Sequence, residues 1–215
     1  MTAVSTFAAC ADPTVGSTPH LPPQLLAIDP FDRMLLTTDG TVTTLLEACT
    51  GEPIVTRTTR QAGPATIDRL GAGAGVWWHP VTDLLELAPR EPLLARRVVL
   101  RGARSDVAYV FAESLVAPDR VPGAISDDLL GAGASLGRVL AAGRLETRRS
   151  IVEIVAARAG GVCDHLGVPR RTALTRRTYT IAFRRRAVAA VTEWLVPGRL
   201  SAMSRTSGVC RRASP

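Results

Sequence analysis

The sequence predicts an α+β fold: a single domain on a six-stranded antiparallel sheet. Three observations carry this expectation. Six segments are rich in β-branched and apolar residues over strand-like lengths. Four of the six stand in two pairs joined by polar turns, which is hairpin order and therefore antiparallel. The helical pieces fall irregularly among the strands, without the strand–helix alternation of a parallel sheet.

Taken in order, residues 1–22 are rich in Thr, Ser, Pro and Ala without periodicity and read as a flexible N-terminal tail. Residues 23–198 form the single domain. Residues 23–34 place Leu25, Leu26, Ile28 and Phe31 as in a short helix, broken at Pro30. Residues 38–43 read as a turn into a second helix over 43–49, with Asp39 or Thr41 as its cap. The first strand is 53–60. Residues 71–75 alternate Gly and Ala and read as a connector; no Lys follows, so they are not a phosphate loop. Segments 93–100 and 107–116 make a hairpin across a turn of Arg, Gly, Ser and Asp character. A short helix lies around 124–130, another begins at 135–140, and 145–155 is a strand with broken alternation. Segments 174–183 and 187–195 make the second hairpin across Arg184, Arg185 and Arg186. From residue 199 to 215 the chain reads as a flexible C-terminal tail.

Composition narrows the function. The 215 residues are 46% apolar but only 4% aromatic, so the core is built from Ala, Val, Leu and Ile. Net charge is +7, and every one of the 26 basic residues is Arg. Guanidinium groups bind carboxylate or phosphate in bidentate fashion, which favours an anionic partner. The arginines are scattered, and no zinc-finger, basic-zipper or aromatic-studded RNA motif accompanies them, so nucleic acid is not expected as a partner. Cys10, Cys49, Cys163 and Cys210 are far apart, as are His20, His79 and His165; neither a disulfide framework nor a metal site is expected. The N-terminus lacks a leader pattern and no apolar run has the length of a membrane span. A soluble, cytoplasmic monomer is the expectation.

Two charges stand on apolar faces. Side chains alternate along a strand, so Leu94, Arg96, Val98 and Leu100 share one face. An unpaired guanidinium there is costly, so Arg96 needs an anion: a ligand or an internal carboxylate. Glu193 lies in a segment that is apolar on both faces. Desolvation favours the neutral acid, a useful proton donor; the alternative is a buried ion pair with Arg96 or another strand arginine. Glu113 and Glu153 read as partners of strand arginines. Ser114 has no nucleophile elbow and no activating His. Trp77 and Trp78 read as core or lid.

The order and spacing of several segments resemble the chorismate lyase family (chorismate pyruvate-lyase, 4-hydroxybenzoate synthase). They are Leu36-Thr37-Thr38-Asp39-Gly40-Thr41-Val42-Thr43, Ala95-Arg96-Arg97-Val98-Val99-Leu100, Ser135-Leu136-Gly137-Arg138-Val139-Leu140, Leu145-Glu146-Thr147-Arg148, and Arg176-Arg177-Thr178-Tyr179 through Thr192-Glu193. The resemblance runs from about residue 25 to 200. It implies a six-stranded antiparallel sheet with helical flaps, over about 30–50 and 117–138, closing an enclosed site. It implies chorismate as substrate, 4-hydroxybenzoate and pyruvate as products, and no metal or cofactor. Its essential Arg falls on Arg96 and its essential Glu on Glu193. Amides holding the product carboxylate fall near Thr41 and at Leu136, and a second arginine for the side-chain carboxylate is expected at Arg148 or Arg138. Ubiquinone-pathway members carry Met where Thr41 falls and Gly-Arg where Ala112-Glu113 stands; Glu113-Ser114 is similar to a branch that makes 4-hydroxybenzoate for specialised products. A non-catalytic sensor of phenolic acids, on the related effector-domain fold, is the alternative.

Overall fold

The computed structural model describes residues 28–66, 83–131 and 135–202. The expected N-terminal tail, the connector at 71–75, Trp77 and Trp78 lie outside the described residues. So does the C-terminal tail beyond residue 202.

The first helix, α1 (Pro30–Thr37), begins at the proline that was expected to break it. Proline fits the first helical position because its missing N–H would find no intrahelical partner there. Asp29 caps the turn, its carboxylate accepting from Phe31 N at 2.9 Å. A three-residue turn leads to α2 (Val42–Thr50), whose cap residue Thr41 makes no side-chain capping bond.

Strands β1 (Ile54–Ala65), β2 (Leu93–Gly102) and β3 (Ala108–Val116) follow. A single 3-10 turn (Pro118–Arg120) precedes α3 (Gly123–Leu130) and α4 (Leu136–Ala142). Then come β4 (Thr147–Ala157), α5 (Gly160–Leu166), β5 (Leu174–Phe183) and β6 (Arg186–Leu195). The sheet is six-stranded and antiparallel, in the order β1-β2-β3-β6-β5-β4. The broken alternation expected in β4 is a register shift between Ile151 and Glu153. Among the described residues no helix is long and apolar enough to cross a membrane.

Both faces of the sheet are covered. On one face, α1 and α2 pack Leu36, Val42 and Leu46 against Leu100, Val110 and Leu195. On the same face, α3 and α4 pack Ile125, Leu129, Val139 and Leu140 against Val116, Ile181 and Val191. On the opposite face, α5 sets Cys163 and Leu166 against Val99, Phe111, Leu174 and Trp194. The chain stays packed past residue 199: Leu200 and Ser201 are buried, Leu200 in the α1–α2 core, so the expected tail boundary moves later.

Candidate functional site

Register decides which side chains share a face. Across the sheet, Arg96 on β2 stands opposite Ser114 on β3, Ser114 opposite Val191 on β6, and Val191 opposite Tyr179 on β5. The neighbouring row of the same face runs Val98, Ala112, Glu193, Arg177. Arg149 on β4 pairs with Ile181 and therefore joins this face, whereas Arg148 pairs with Ala182 on the other.

A partly open cavity lies over these rows, with about 550 Å³ of empty space when its open mouth is counted. Val98, Leu100, Ala112, Ile181 and Val191 make its floor largely apolar; Arg96, Ser114, Arg149, Tyr179 and Glu193 are the polar groups set into it. Its rim is made by the starts of two helices, Thr41, Val42 and Thr43 of α2 and Ser135, Leu136 and Gly137 of α4. Helix starts carry backbone N–H groups without intrahelical partners and suit a carboxylate. Ser135 Oγ takes one of these, from Arg138 N at 3.2 Å. The two starts touch: a Cβ on Gly137 would lie 2.9 Å from Thr41 Cγ2.

Arg96 is 2% exposed. Burial weakens its hold on its proton relative to an ordinary arginine. Glu193 is 5% exposed and forms an ion pair. Arg177 Nε donates to its Oε2 at 2.8 Å, and Tyr179 Oη donates to its Oε1 at 3.1 Å. The arrangement is the buried pair with another strand arginine, not the isolated neutral acid. Burial raises the pKa of Tyr179, and the Glu193 charge raises it further, so the phenol keeps its proton. Burial is the largest influence on the Arg177 pKa and would lower it, but the charge and hydrogen bonds of Glu193 and Tyr179 together outweigh it and the net direction is upward. Arg96 and Glu193 are two strands and two residues apart, placing their Cα atoms roughly 12 Å from each other at ~4.8 Å between strands and ~3.4 Å per residue.

The site residues expected from the sequence divide in two. Arg96, Thr41, Leu136 and Glu193 all line the one cavity. Arg148 and Arg138 do not. Arg148 is exposed on the opposite face, one residue out of phase. Arg138 is also exposed and pairs with Glu47 of α2 across the helix starts. The arginine that lines the cavity is Arg149, which also donates to the Asp39 carbonyl in the turn before α2. Arg149, Arg177 and Tyr179 were not expected as site residues, although Arg177 and Tyr179 stand in a segment that carries the resemblance. Alternation along β5 groups Arg177 with Tyr179 and Ile181, but only the pairing with β6 sets Arg177 against Glu193. Glu113 and Glu153 meet strand arginines as expected: Glu113 with Arg97 at 2.7 Å, Glu153 with Arg176.

Known proteins resemble this chain in sequence and in fold. The family described as chorismate pyruvate-lyase, Rv2949c-like, matches residues 36–203. A protein of Mycobacterium leprae named chorismate pyruvate-lyase is 28% identical over 131 residues, 57% of this chain and 52% of its own length. The chain thus spans about half the length of that relative. A protein of the same name from Mycobacterium tuberculosis (strain H37Rv) is 27% identical over 162 residues, 75% of this chain and 77% of its own. Among solved structures, the effector domain of PhnF from Mycobacterium smegmatis shares the fold, with a TM-score of 0.53 and 17% identity over 75% of this chain and 91% of that one. With the family match covering residues 36–203, well over half of the chain, the protein belongs to the Rv2949c-like chorismate pyruvate-lyase family.

Proposed function

We propose that this protein eliminates pyruvate from chorismate to give 4-hydroxybenzoate. One observation carries the reading: Arg96 and Arg149 project into a single apolar cavity rimmed by two helix starts, with Glu193 between them in the sheet. Among the described lining groups the formal charge is two arginines against one glutamate, and Arg177 behind Glu193 offsets that glutamate. Two guanidinium groups lining one pocket suit a ligand with two carboxylates, and chorismate carries two. Arg96, with the amides near Thr41 and at Leu136, holds the ring carboxylate. Arg149 meets the carboxylate of the enolpyruvyl arm, in the role expected of Arg148 or Arg138. Glu193 lies near the ring carbon that bears the hydroxyl and the ether that breaks. Aromatisation supplies the driving force, so the protein's work is orientation and proton handling. Closure of the segments around α1–α2 and α3–α4 excludes water.

The test is direct. Purified protein incubated with chorismate should release 4-hydroxybenzoate and pyruvate in equal amounts, resolved by chromatography. Arg96→Ala should act mainly on KM and Glu193→Gln mainly on kcat, the latter by about 100-fold or more if proton transfer is lost. Wild-type turnover in both variants would sink these roles. The likeness of fold to the PhnF effector domain supports a second reading, a non-catalytic sensor of phenolic acids. That reading requires 4-hydroxybenzoate to bind while chorismate is left unchanged.

A further inference from the structure

The strongest unassigned feature is the buried group of Arg177, Tyr179 and Glu193. Arg177 is 1% exposed and contacts three things at once. Its Nε donates to Glu193 Oε2. Its Nη1 donates to the Leu35 and Thr38 carbonyls at the end of α1. Its Cζ lies 4.9 Å from the centre of the Tyr179 ring. Tyr179 in turn donates to the other Glu193 oxygen, at 3.1 Å. Each carboxylate oxygen therefore has its own donor, from the same strand, so the carboxyl plane cannot rotate without breaking a bond. A carboxylate that accepts from a guanidinium and a phenol is held by two directional bonds. The α1 carbonyls fix the guanidinium from behind, where a cation also suits the negative end of a helix.

We propose that Arg177 and Tyr179 are positioning residues that hold the Glu193 carboxylate in a fixed orientation, so that it enters the elimination as a proton acceptor. The inference rests on the lyase reading above. In the step it implies, Glu193 takes the proton from the ring carbon bearing the hydroxyl. The C–H electron pair becomes the last ring π bond, and the adjacent C–O bond breaks to release the enolate of pyruvate. The proton then passes from Glu193 to the methylene carbon of that enolate, giving pyruvate and restoring the carboxylate. Atoms and charge balance without any co-reactant.

The experiment measures kcat and KM for chorismate in Arg177→Gln, Arg177→Lys and Tyr179→Phe, by pyruvate release, with circular dichroism and melting as the check on folding. Losing the general base's preparation should lower kcat by about 100-fold in Arg177→Gln, with KM changing far less. Tyr179→Phe removes one hydrogen bond to a charge and should lower kcat about tenfold. Arg177→Lys keeps the charge and should recover about tenfold of the Arg177→Gln loss. A merely structural arginine would show no such split between kcat and KM and no rescue by lysine. If Arg177→Gln does not fold, the other two variants decide. Folded Tyr179→Phe with wild-type kcat, or Arg177→Lys no better than Arg177→Gln, overturns the proposal. A wild-type protein that leaves chorismate untouched sinks the lyase reading and this inference with it; an active wild type with insensitive variants sinks this inference alone.

Discussion

At the scale of single residues, the phase of alternation along a strand separates neighbours that look alike. Arg148 and Arg149 are adjacent arginines in one strand, yet one is exposed on the far face and the other lines the cavity. Which of them faces inward depends on how β4 registers against β5, where Arg149 pairs with Ile181 and Arg148 with Ala182. The expected consequence is a contrast in kinetics. Arg149→Ala should raise KM for chorismate by about 10-fold or more, the worth of a lost charge-assisted carboxylate contact. Arg148→Ala should leave both constants near wild type. Equal effects of the two variants would contradict the assignment of Arg149. Arg96 and Glu193 were legible because each is a charge in an apolar pattern. Arg177 was not, because its phase is visible in the sequence but its partner is not.

Among the elements, helix starts and their contacts matter most. Pro30 opens α1 because Asp29 caps it, a local arrangement that hydrophobic periodicity does not reveal. Helix α5 went unforeseen: it is seven residues long, begins with two glycines, and owes its place to Cys163 and Leu166 packing on the sheet. Short helices gain their stability from such packing more than from propensity. The contact between α2 and α4 is the more consequential for function. Gly137 leaves room for Thr41, and a side chain there would collide at 2.9 Å. Gly137→Val should therefore push the two helix starts apart. The expected result is a KM several-fold higher by roughly the same steady-state assay, together with about 1–3 kcal/mol of lost stability in denaturant unfolding. A variant with unchanged KM would show that the spacing of the two starts is not used in binding.

For the whole molecule, the sheet separates two sets of polar groups. The cavity face holds Arg96, Arg149, Arg177, Tyr179 and Glu193; the opposite face holds Glu113 with Arg97. Glu113 is 3% exposed, and burial pushes its pKa up to about 7 although Arg97 opposes the shift. The folded protein then binds more protons than the unfolded chain between about pH 4.5 and 7. Its contribution to stability is complete below the unfolded value and is lost as pH rises through about 7. Lowering pH from 8 to 5 should therefore stabilise the wild type relative to Glu113→Gln by about 2 kcal/mol, read from denaturant unfolding at the two values. Glu52 and Glu91 act in a separate window. Burial opposes the lowering of Glu52, but its bonds to Ser105 and Arg104 prevail, while Arg120 chiefly lowers Glu91; both fall to about 2, so their contributions are lost only in stronger acid. Identical pH dependence in wild type and Glu113→Gln would refute the assignment.

Sequence alone determined the strand set, the hairpin order, the antiparallel class and the two misplaced charges. Each of these is a local property: alternation, turn chemistry and a polar residue in an apolar run are all readable within about ten residues of one strand. The tertiary structure decided the remainder. It chose Arg149 over Arg148, gave Glu193 to Arg177 and not to Arg96, and brought the starts of α2 and α4 together over the sheet. Those outcomes depend on inter-strand register and on contacts between segments up to 142 residues apart, as between Arg177 and Leu35. A charge announces its need for a partner from its own strand, but the partner is set by the strand that the fold lays beside it.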